Sequence, residues 1–339
     1  MDIEEEKGMR IALDCPANFT DEDLLLGKQL GVDHVVLSGH NLPGPGYWEY
    51  LDLLRIKKRI ERFDMQLVAI ENVPLHFWDH VLMAGPRRDE QIANYARLIR
   101  NMGKAGIPIL GYHFSPVIDD LVNVWGHWRV GNAGGGRGGA GLTSFDYDLV
   151  KDCDDAPGGR PTADEVWDRI LYFLQRVVPV AEDAGVKLAA HPNDPPANVL
   201  RGAARVLNSV DGLKRLLEIY PSEYSGLDFC QGTITETGTD VYEAIRYFGS
   251  RGKIFYGHLR NVRNLPGMKP GYPKYDEVFI DEGDVDIYKA LQVYKEVGFQ
   301  GVLRPDHVPA VAGDTPWGHR ARAFAIGYIR ALMSVVEAQ

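Results

Sequence analysis

Short apolar runs alternate with longer amphipathic runs along almost the whole chain, a pattern that predicts strands and helices in succession. Eight short runs are predicted strands: Met9–Asp14, His34–Ser38, Gln66–Glu71, Ile107–Phe114, Val186–His191, Ser225–Cys230, Lys253–His258 and Gly301–Asp306. The amphipathic runs between them are predicted helices: Asp21–Leu30, Tyr47–Phe63, Asp89–Ala105, Ala163–Ala184, Val206–Ile219, Asp240–Phe248, Val285–Val297 and Gly318–Val336. Thr20 and Thr162, each followed by acidic residues, are predicted N-caps.

Eight strand–helix alternations predict an α/β fold, a single (β/α)8 TIM barrel that occupies residues 1–339 as one domain. A doubly wound open sheet is the alternative, because strand order cannot be read from a sequence. Long loops follow strands 4 and 7, at Ser115–Pro161 and Asn261–Asp284. Both leave the carboxyl ends of strands, so we expect them to lie over the active-site face.

The first of these loops is a glycine-rich insertion at about 115–161, with most of its glycines in Gly134–Gly141. It lacks the Lys-Ser/Thr pair of a phosphate-binding loop, and it does not open a helix directly after a strand as a dinucleotide-binding turn does. We interpret it as a mobile loop with hinge glycines.

The formal net charge of −10 argues against nonspecific nucleic-acid binding, which needs a basic surface. The first residues, MDIEEEKGMR, lack the apolar segment of a signal peptide, and no apolar run reaches membrane-spanning length. Cys15, Cys153 and Cys230 are too sparse for a disulfide framework. We therefore expect a cytoplasmic protein with neither a nucleic-acid nor a membrane partner.

Four side chains that can bind metal stand at the ends of four successive predicted strands: His191, Cys230, His258 and Asp306. In a parallel α/β protein the carboxyl ends of all strands lie on one face, so these four can converge. Two imidazoles, a thiolate and a carboxylate suit a divalent transition metal. Because thiolate is a soft ligand, Mg²⁺ and Ca²⁺ are disfavoured, and Mn²⁺, Fe²⁺, Co²⁺ and Zn²⁺ remain.

Two arginines accompany these ligands. Arg260 is two residues after His258, and Arg304 is two residues before Asp306, so strand alternation directs each towards the same face. Arginine grips carboxylates with two parallel hydrogen bonds, which predicts an anionic substrate. The alternative is that both arginines form ion pairs with barrel carboxylates such as Glu71 or Asp228.

The motifs around these residues closely resemble those of the mannonate dehydratase family, a group of barrels in the xylose-isomerase-like superfamily. The resemblance lies in HPNDPP (191–196), FYGHLRN (255–261), EGDVDIY (282–288) and LRPDH (303–307). The first half agrees through SGHNLPG (38–44), IENVP (70–74), IANYARLIRNMGKAGI (92–107) and YHFSPV (112–117). The resemblance therefore covers most of the chain.

The resemblance implies conversion of D-mannonate to 2-keto-3-deoxy-D-gluconate with a divalent metal, typically Mn²⁺ or Fe²⁺. It places the family's metal ligands on His191, Cys230, His258 and Asp306, the set already expected from the strand ends. It also implies that His307, directly after Asp306, is catalytic. The family often has a tyrosine soon after this segment, whereas Trp317 and His319 stand in this stretch here.

Loss of water from such an acid removes a proton from carbon 2 and hydroxide from carbon 3, so a base and an acid are both required. His307 is the candidate for one role, and His113, His319, His40 and Tyr272 are the candidates for the other. Substrate contacts are expected from Arg260, Arg304, His40, Glu71, Asn193 and Tyr272.

Two other functions stay open, a sugar isomerase or epimerase of the same superfamily and a non-catalytic sugar-acid-binding protein. Cys230 disfavours the first, since such relatives usually bind metal through Glu, Asp and His. We also expect a homo-oligomer, since acidic barrels of this superfamily commonly self-associate.

Overall fold

The computed structural model describes residues 8–117, 130–132 and 134–339. Eight parallel strands close into a barrel in which sequential strands are neighbours. They are β1 Arg10–Cys15, β2 His34–Ser38, β3 Gln66–Glu71, β4 Ile109–Tyr112, β5 Lys187–Ala190, β6 Ser225–Cys230, β7 Ile254–His258 and β8 Val302–Arg304. Strand β1 pairs with both β2 and β8, which closes the barrel and confirms the TIM barrel over the doubly wound alternative.

Eight long helices surround the barrel, at Asp21–Gln29, Tyr50–Glu61, Arg88–Ala105, Ala163–Ala184, Val210–Ile219, Val241–Gly249, Ile287–Glu296 and His319–Glu337. Short helices occupy Asp79–Met83, Tyr147–Val150 and Gln231–Glu236, with 3₁₀ turns at Leu75–Phe77 and Arg137–Gly139. Both predicted capping threonines are present, since the side chain of Thr20 accepts from Asp23 N–H and that of Thr162 from Glu165 N–H. The helix predicted from Val206 begins only at Val210, because Ser209 caps it.

Most strand boundaries fall within one or two residues of the predicted ones, and β6 matches at both ends. Strand β4 is shorter than the predicted Ile107–Phe114, so His113 lies just beyond its end. Strand β5 ends before His191, and β8 ends two residues before Asp306. These residues therefore belong to the loops at the carboxyl end of the barrel, where side chains can turn towards a common centre.

The two long excursions pair with each other, which the sequence did not predict. Strands Val262–Asn264, Lys274–Glu277, Leu142–Asp146 and Val130–Asn132 form a four-stranded antiparallel sheet in this order. We call it the cross-loop sheet. Its first two strands belong to the excursion after β7 and its last two to the excursion after β4, so the sheet joins the two loops beside the strand ends.

Arg137, in the glycine-rich stretch, connects the excursion after β4 to the excursion after β7. Its guanidinium lies 2.9 Å from Asp281 and 4.4 Å from the ring centroid of Phe279. Backbone hydrogen bonds also join Gly141 and Ala310 in both directions, at 3.0 and 2.8 Å. The mobile-loop interpretation therefore misses ordered structure in the described part of this insertion, while residues 118–129 and 133 lie outside the described residues.

Among the described residues, apolar side chains fill a large layer between the strands and the helices, a smaller one inside the barrel, and a third cluster around Phe145 and Tyr275 of the cross-loop sheet. The strands are buried on both faces, which explains why the sequence shows near-continuous apolar runs. Within the described ranges, no helix is both long enough and apolar enough to cross a bilayer.

Candidate metal centre

His191, Cys230 and His258 meet at the carboxyl end of the barrel. Cys230 and His258 are register partners at the ends of β6 and β7, and His191 follows the neighbouring β5 directly. One ligand atom from each residue lies within 4.8 Å of the other two, and all three residues are buried. Two ligands on opposite sides of a metal are about 4 to 4.6 Å apart, since each bond is about 2.0–2.3 Å. The spacing therefore suits a single divalent ion.

Asp306, two residues after β8, lies next to this group without belonging to the set of mutually close ligand atoms. Its Oδ2 lies 3.4 Å from Nδ1 of His258, and its backbone adopts a left-handed conformation with φ of 60°. Aspartate tolerates this conformation better than most residues. The turn brings the carboxylate towards the barrel mouth and into contact with His258, so the assignment of Asp306 as the fourth ligand stays a prediction.

The environment of Cys230 favours its thiolate. Burial alone would raise the pKa of this thiol, but Arg260, His191 and His258 outweigh it and hold the pKa well below the usual value. Arg260 Nη2 lies 3.5 Å from Sγ, and the backbone N–H of Thr233, in the short helix that follows, donates to Sγ at 3.5 Å. A preformed thiolate binds a cation without first having to lose a proton.

The two histidines indicate that a cation belongs here. Burial and Arg304 oppose protonation of His258, yet Asp228 and Asp306 raise its pKa well above the usual value. Burial also opposes protonation of His191, and its raised pKa comes mainly from Cys230. Within the described residues, neither ring nitrogen of His258 has a hydrogen bond of normal geometry. A divalent metal would provide the positive charge that these acidic surroundings favour, and a ring nitrogen of His258 would then bind the metal in place of a proton.

A second layer of acids lies beneath this group, and the sequence analysis missed its chemistry. The hydroxyl of Tyr256 is 3.1 Å from Glu71 and 3.0 Å from Asp228. Burial opposes ionisation of Glu71, but Arg304 and His258 lower its pKa to about 2, while burial raises the pKa of Asp228 to about 6. Asp228 and Tyr256 stand two residues before Cys230 and His258, so strand alternation could have revealed them.

Both arginines are buried among carboxylates, as the alternative interpretation held. Arg304 contacts Asp14, Glu71 at 2.5 Å and Asp306 at 3.3 Å. Glu71 is one of the partners considered for it, whereas Asp14 was not foreseen. Only 3% of the Arg304 side chain is exposed. This arginine is therefore held in place by acids, one of which is a predicted metal ligand.

Arg260 sits in a separate acidic cage. It contacts Asp194 at 2.6 Å, Glu236 at 2.9 Å and Glu277, and 1% of its side chain is exposed. Its Nε is also 3.6 Å from Asp306. The guanidinium thus links the cage to the predicted metal ligands, and any contact with substrate would have to be made from this fixed position.

His307 stands beside the metal group and contacts the cross-loop sheet. Its Nδ1 lies 2.9 Å from Oε2 of Glu277, and its Nε2 is 3.9 Å from Asp306. About 38% of its side chain is exposed, in contrast to the buried ligands. His307 is therefore oriented by a carboxylate at one nitrogen and directs the other towards the metal group.

His113 and Asn193 lie on the other side of the centre. The ring centroids of His113 and His191 are 5.9 Å apart, and Nδ2 of Asn193 is 3.3 Å from Nε2 of His113. Asn193 also donates to the carbonyl of Phe114 at 3.0 Å and accepts from Leu207 N–H at 3.0 Å. Its amide therefore joins the loops after β4 and β5 and supports His113.

His40, which follows β2, lies near the layer of acids formed by Glu71 and Asp228. Its Nδ1 is 3.1 Å from the hydroxyl of Ser38. Burial lowers its pKa, and the nearby charge of Glu71 opposes this shift. The neutral imidazole is thus favoured at this position.

His319 and Tyr272 make their contacts elsewhere. Nε2 of His319 is 2.7 Å from Asp23, and its Nδ1 is 2.8 Å from Thr315. Tyr272 is 48% exposed and packs edge-on against Tyr147 with ring centroids 5.1 Å apart. The structure does not bring either residue into contact with the four predicted ligands.

A closed α/β barrel with buried His, Cys and Asp side chains at its carboxyl face is the arrangement of a candidate metal-dependent enzyme. The chain matches the family model described as D-mannonate dehydratase (UxuA) over residues 21–157 and 161–339. The chain belongs to the mannonate dehydratase family, whose members are hydro-lyases acting on a sugar acid. The resemblance seen in the sequence motifs is thereby confirmed.

Individual relatives and solved structures support the same family assignment. The chain is 30% identical to the mannonate dehydratase of Thermotoga maritima, over 89% of this chain and 88% of that protein. It is 30% identical to mannonate dehydratase 2 of Halalkalibacterium halodurans, over 90% of each. The mannonate dehydratase structure from Streptococcus suis superimposes with a TM-score of 0.86 at 27% identity, over 98% of this chain and 94% of that one. A structure titled L-ribulose 3-epimerase, at 15% identity and a TM-score of 0.61, shares the fold alone.

Proposed function

We propose that this protein dehydrates D-mannonate to 2-keto-3-deoxy-D-gluconate, with a divalent metal held by His191, Cys230, His258 and Asp306. The convergence of these four side chains at the barrel mouth, in a chain that belongs to the dehydratase family, carries the proposal. Mn²⁺ or Fe²⁺ is the expected ion, and Co²⁺ or Zn²⁺ would also suit the donor set. When bound, the ion would polarise the substrate carboxylate and adjacent hydroxyl and stabilise the negative charge that develops there.

The chain's own residues supply orientation and proton transfer. Arg260 and Arg304 lie beside Asp306 at fixed positions, but each is already paired with buried carboxylates, so they would hold the ligands in place and the bound metal would be the main attraction for an anionic substrate. When Nδ1 of His307 donates to Glu277, Nε2 is able to accept or return a proton on the side of Asp306. Such a histidine suits removal of the proton from carbon 2 or protonation of the departing hydroxide.

The second proton carrier is proposed among His113 and His40, the remaining predicted histidines near the centre. His113 lies next to His191, and Asn193 fixes it at Nε2. His319 is a weaker candidate for this role, because its two ring nitrogens contact Asp23 and Thr315. Glu71 and Asn193 are proposed to contact the substrate from their positions beside the centre, whereas the contact expected from Tyr272 stays a prediction, since its ring packs against Tyr147.

The activity is tested by incubating the metal-free protein with D-mannonate and graded Mn²⁺ or Fe²⁺ and following the 2-keto-3-deoxy acid. We expect product only when metal is added, and no product from D-gluconate, the epimer at carbon 2. A filled metal site without product would rule out this substrate. Interconversion of a neutral ketose and aldose would identify a sugar isomerase, and calorimetric binding of D-mannonate without turnover would identify a binding protein.

Cys230→Ser should weaken metal binding by about 100-fold, because replacing even a residue that only supports a ligand costs about 10–100-fold. Metal content after dialysis against graded chelator measures the effect. In the Co²⁺-loaded protein, the thiolate-to-cobalt absorption band should disappear. Cys153→Ser is the control, since Cys153 is a partly exposed free thiol that belongs to no group of metal-capable side chains among the described residues. Equal metal retention by the two variants would remove Cys230 from the ligand set.

Two further expectations remain proposals, a homo-oligomer and a cytoplasmic location. Sedimentation of the metal-loaded protein at several concentrations would test the first.

A further inference from the structure

The amino end of the barrel, opposite the metal centre, carries a pocket of about 450 Å³. The first residues of six barrel strands line it: Arg10, Gln66, Ile109, Lys187, Ile254 and Val302. Sites for small organic molecules commonly measure about 300–1,000 Å³. The pocket is thus large enough for a ligand, and the barrel core separates it from the proposed reaction.

The lining of this pocket is basic, although the chain as a whole has a net charge of −10. Arg10 and Lys187 contribute a guanidinium and an ammonium group, and no Asp or Glu belongs to the lining. Arg10 Nη2 donates to the carbonyl of Gln300, while its Nε is buried without a hydrogen-bond partner among the described residues. The ammonium of Lys187 lies 4.8 Å from the ring centroid of Phe255.

A third cation, Lys253, lies close enough to Lys187 for the two charges to repel, although it does not line the pocket. Burial is the largest cause of the lowered pKa of Lys253, Glu223 opposes the shift, and the charge of Lys187 adds to it. The Lys253 ammonium donates to the carbonyls of Ser222 at 2.6 Å and Ser225 at 3.3 Å. Positive charges that repel one another at one end of an acidic protein are relieved by a bound anion.

The inner wall of the pocket is apolar. Phe255, Phe299 and Val302 line it, and their exposed fractions are 6%, 9% and 2%. Since the protein already buries most of these side chains, a ring would gain mainly by van der Waals contact with the exposed edges of Phe255 and Phe299, a contact that an inorganic anion cannot make. The pocket thus offers cations from Arg10 and Lys187 together with the rings of Phe255 and Phe299. This combination favours a ligand that has both an anionic group and an apolar ring.

We propose that this pocket binds a small organic carboxylate with an apolar ring, its carboxylate between Arg10 and Lys187 and its ring against Phe255 and Phe299. The site is independent of the dehydratase reaction. Its occupant would rest on the strand beginnings and would therefore be placed to stabilise the barrel from its amino end.

The probe for the test is 4-bromobenzoate. In crystals soaked with it, we expect an anomalous bromine peak in this pocket, and in solution we expect saturable binding by calorimetry with the metal-free protein. Lys187→Gln should weaken binding less than Lys187→Glu, which we expect to weaken it about tenfold. Lys187 is exposed, so neither change threatens the fold.

Lys104→Glu is the matched control, because Lys104 is also exposed and also lies over an aromatic ring, 4.2 Å from that of Tyr50. It should bind the probe as the unaltered protein does. Equal losses in Lys187→Glu and Lys104→Glu would show only a general charge effect and would overturn the proposal. A bromine peak found only at the metal face would do the same, and inorganic phosphate competing as strongly as benzoate would refute the requirement for a ring.

Discussion

His307→Gln is expected to lower kcat for D-mannonate by about 10²–10⁴-fold, the range that one positioned proton-transfer group contributes. The physical reason is the placement of the ring, with Nδ1 2.9 Å from Glu277 and Nε2 on the side of Asp306. Glutamine keeps much of the size and polarity of the side chain but cannot carry a proton between substrate and solvent. Metal content should be unchanged, and KM should change far less than kcat, because the lost interaction belongs mainly to the transition state.

His319→Gln is the comparison for this experiment. It removes the contacts with Asp23 and Thr315, which are exposed or half-buried, so we expect a loss of about 1 kcal/mol in stability and a kcat within a few-fold of the original. A kcat that falls as far as in His307→Gln would return His319 to the catalytic group. A nearly normal kcat in His307→Gln would show that another residue moves the proton.

Arg260→Met should lower the free energy of unfolding by about 3–5 kcal/mol, the cost of removing one partner from a buried ion pair. Methionine fills much of the same space, so the loss of charge dominates. Asp194, Glu236 and Glu277 would remain buried, each 4% exposed or less, without the cation that they share. Urea unfolding of the metal-free protein measures the effect.

The pH dependence distinguishes electrostatic loss from simple damage to packing. Acids buried without a counter-charge bind protons more readily in the folded state than in the unfolded state, so stability falls as pH rises. The difference between Arg260→Met and the unaltered protein should therefore be larger at about pH 8 than at about pH 5. A difference that does not change with pH would point to packing alone.

Arg246→Met is the matched control for this change. Arg246 also pairs with two glutamates, Glu243 at 2.7 Å and Glu296 at 3.0 Å, but 37% of its side chain is exposed. Exposed pairs contribute about 0–1 kcal/mol, because water and salt screen them. Comparable losses in the two variants would contradict the buried cage around Arg260.

The sequence was sufficient to locate the candidate metal centre because a parallel barrel gathers its chemistry where strands end. His191, Cys230, His258 and Asp306 each follow or close an apolar run, and such runs can be recognised without knowing which strands are neighbours. Boundaries mattered little, since a side chain one or two residues beyond β5 or β8 still reaches the same mouth.

The partners of the two arginines could not be predicted in the same way. Asp14 and Arg304 are separated by nearly the whole chain and become neighbours only because β1 pairs with β8. The acidic cage of Arg260 draws on three separate loops, and no local pattern marks Glu236 or Glu277 as its members. Charge pairs of this kind form only when the barrel closes, and barrel closure leaves no periodic pattern of residues in the sequence.

The cross-loop sheet escaped prediction for a related reason. Leu142–Asp146 and Lys274–Glu277 are short, and glycine and polar residues surround them, so neither stands out as a strand. Their pairing joins segments more than a hundred residues apart, as Tyr275 opposite Phe145 shows. A two-residue alternation this brief is easily mistaken for a loop.

The cross-loop sheet allows the loops around the candidate site to change in sequence and length while the strand ends of the barrel stay the same. Glu277, which holds His307, is supplied by the same short strand that pairs with Leu142–Asp146. Insertions or deletions in the excursion after β4 would thus alter the orientation of the His307 imidazole while leaving the strand ends that carry the candidate metal ligands unchanged. The range of substrates can therefore be changed by altering the cross-loop sheet alone. Engineering of this barrel for other sugar acids would begin with the strands of that sheet.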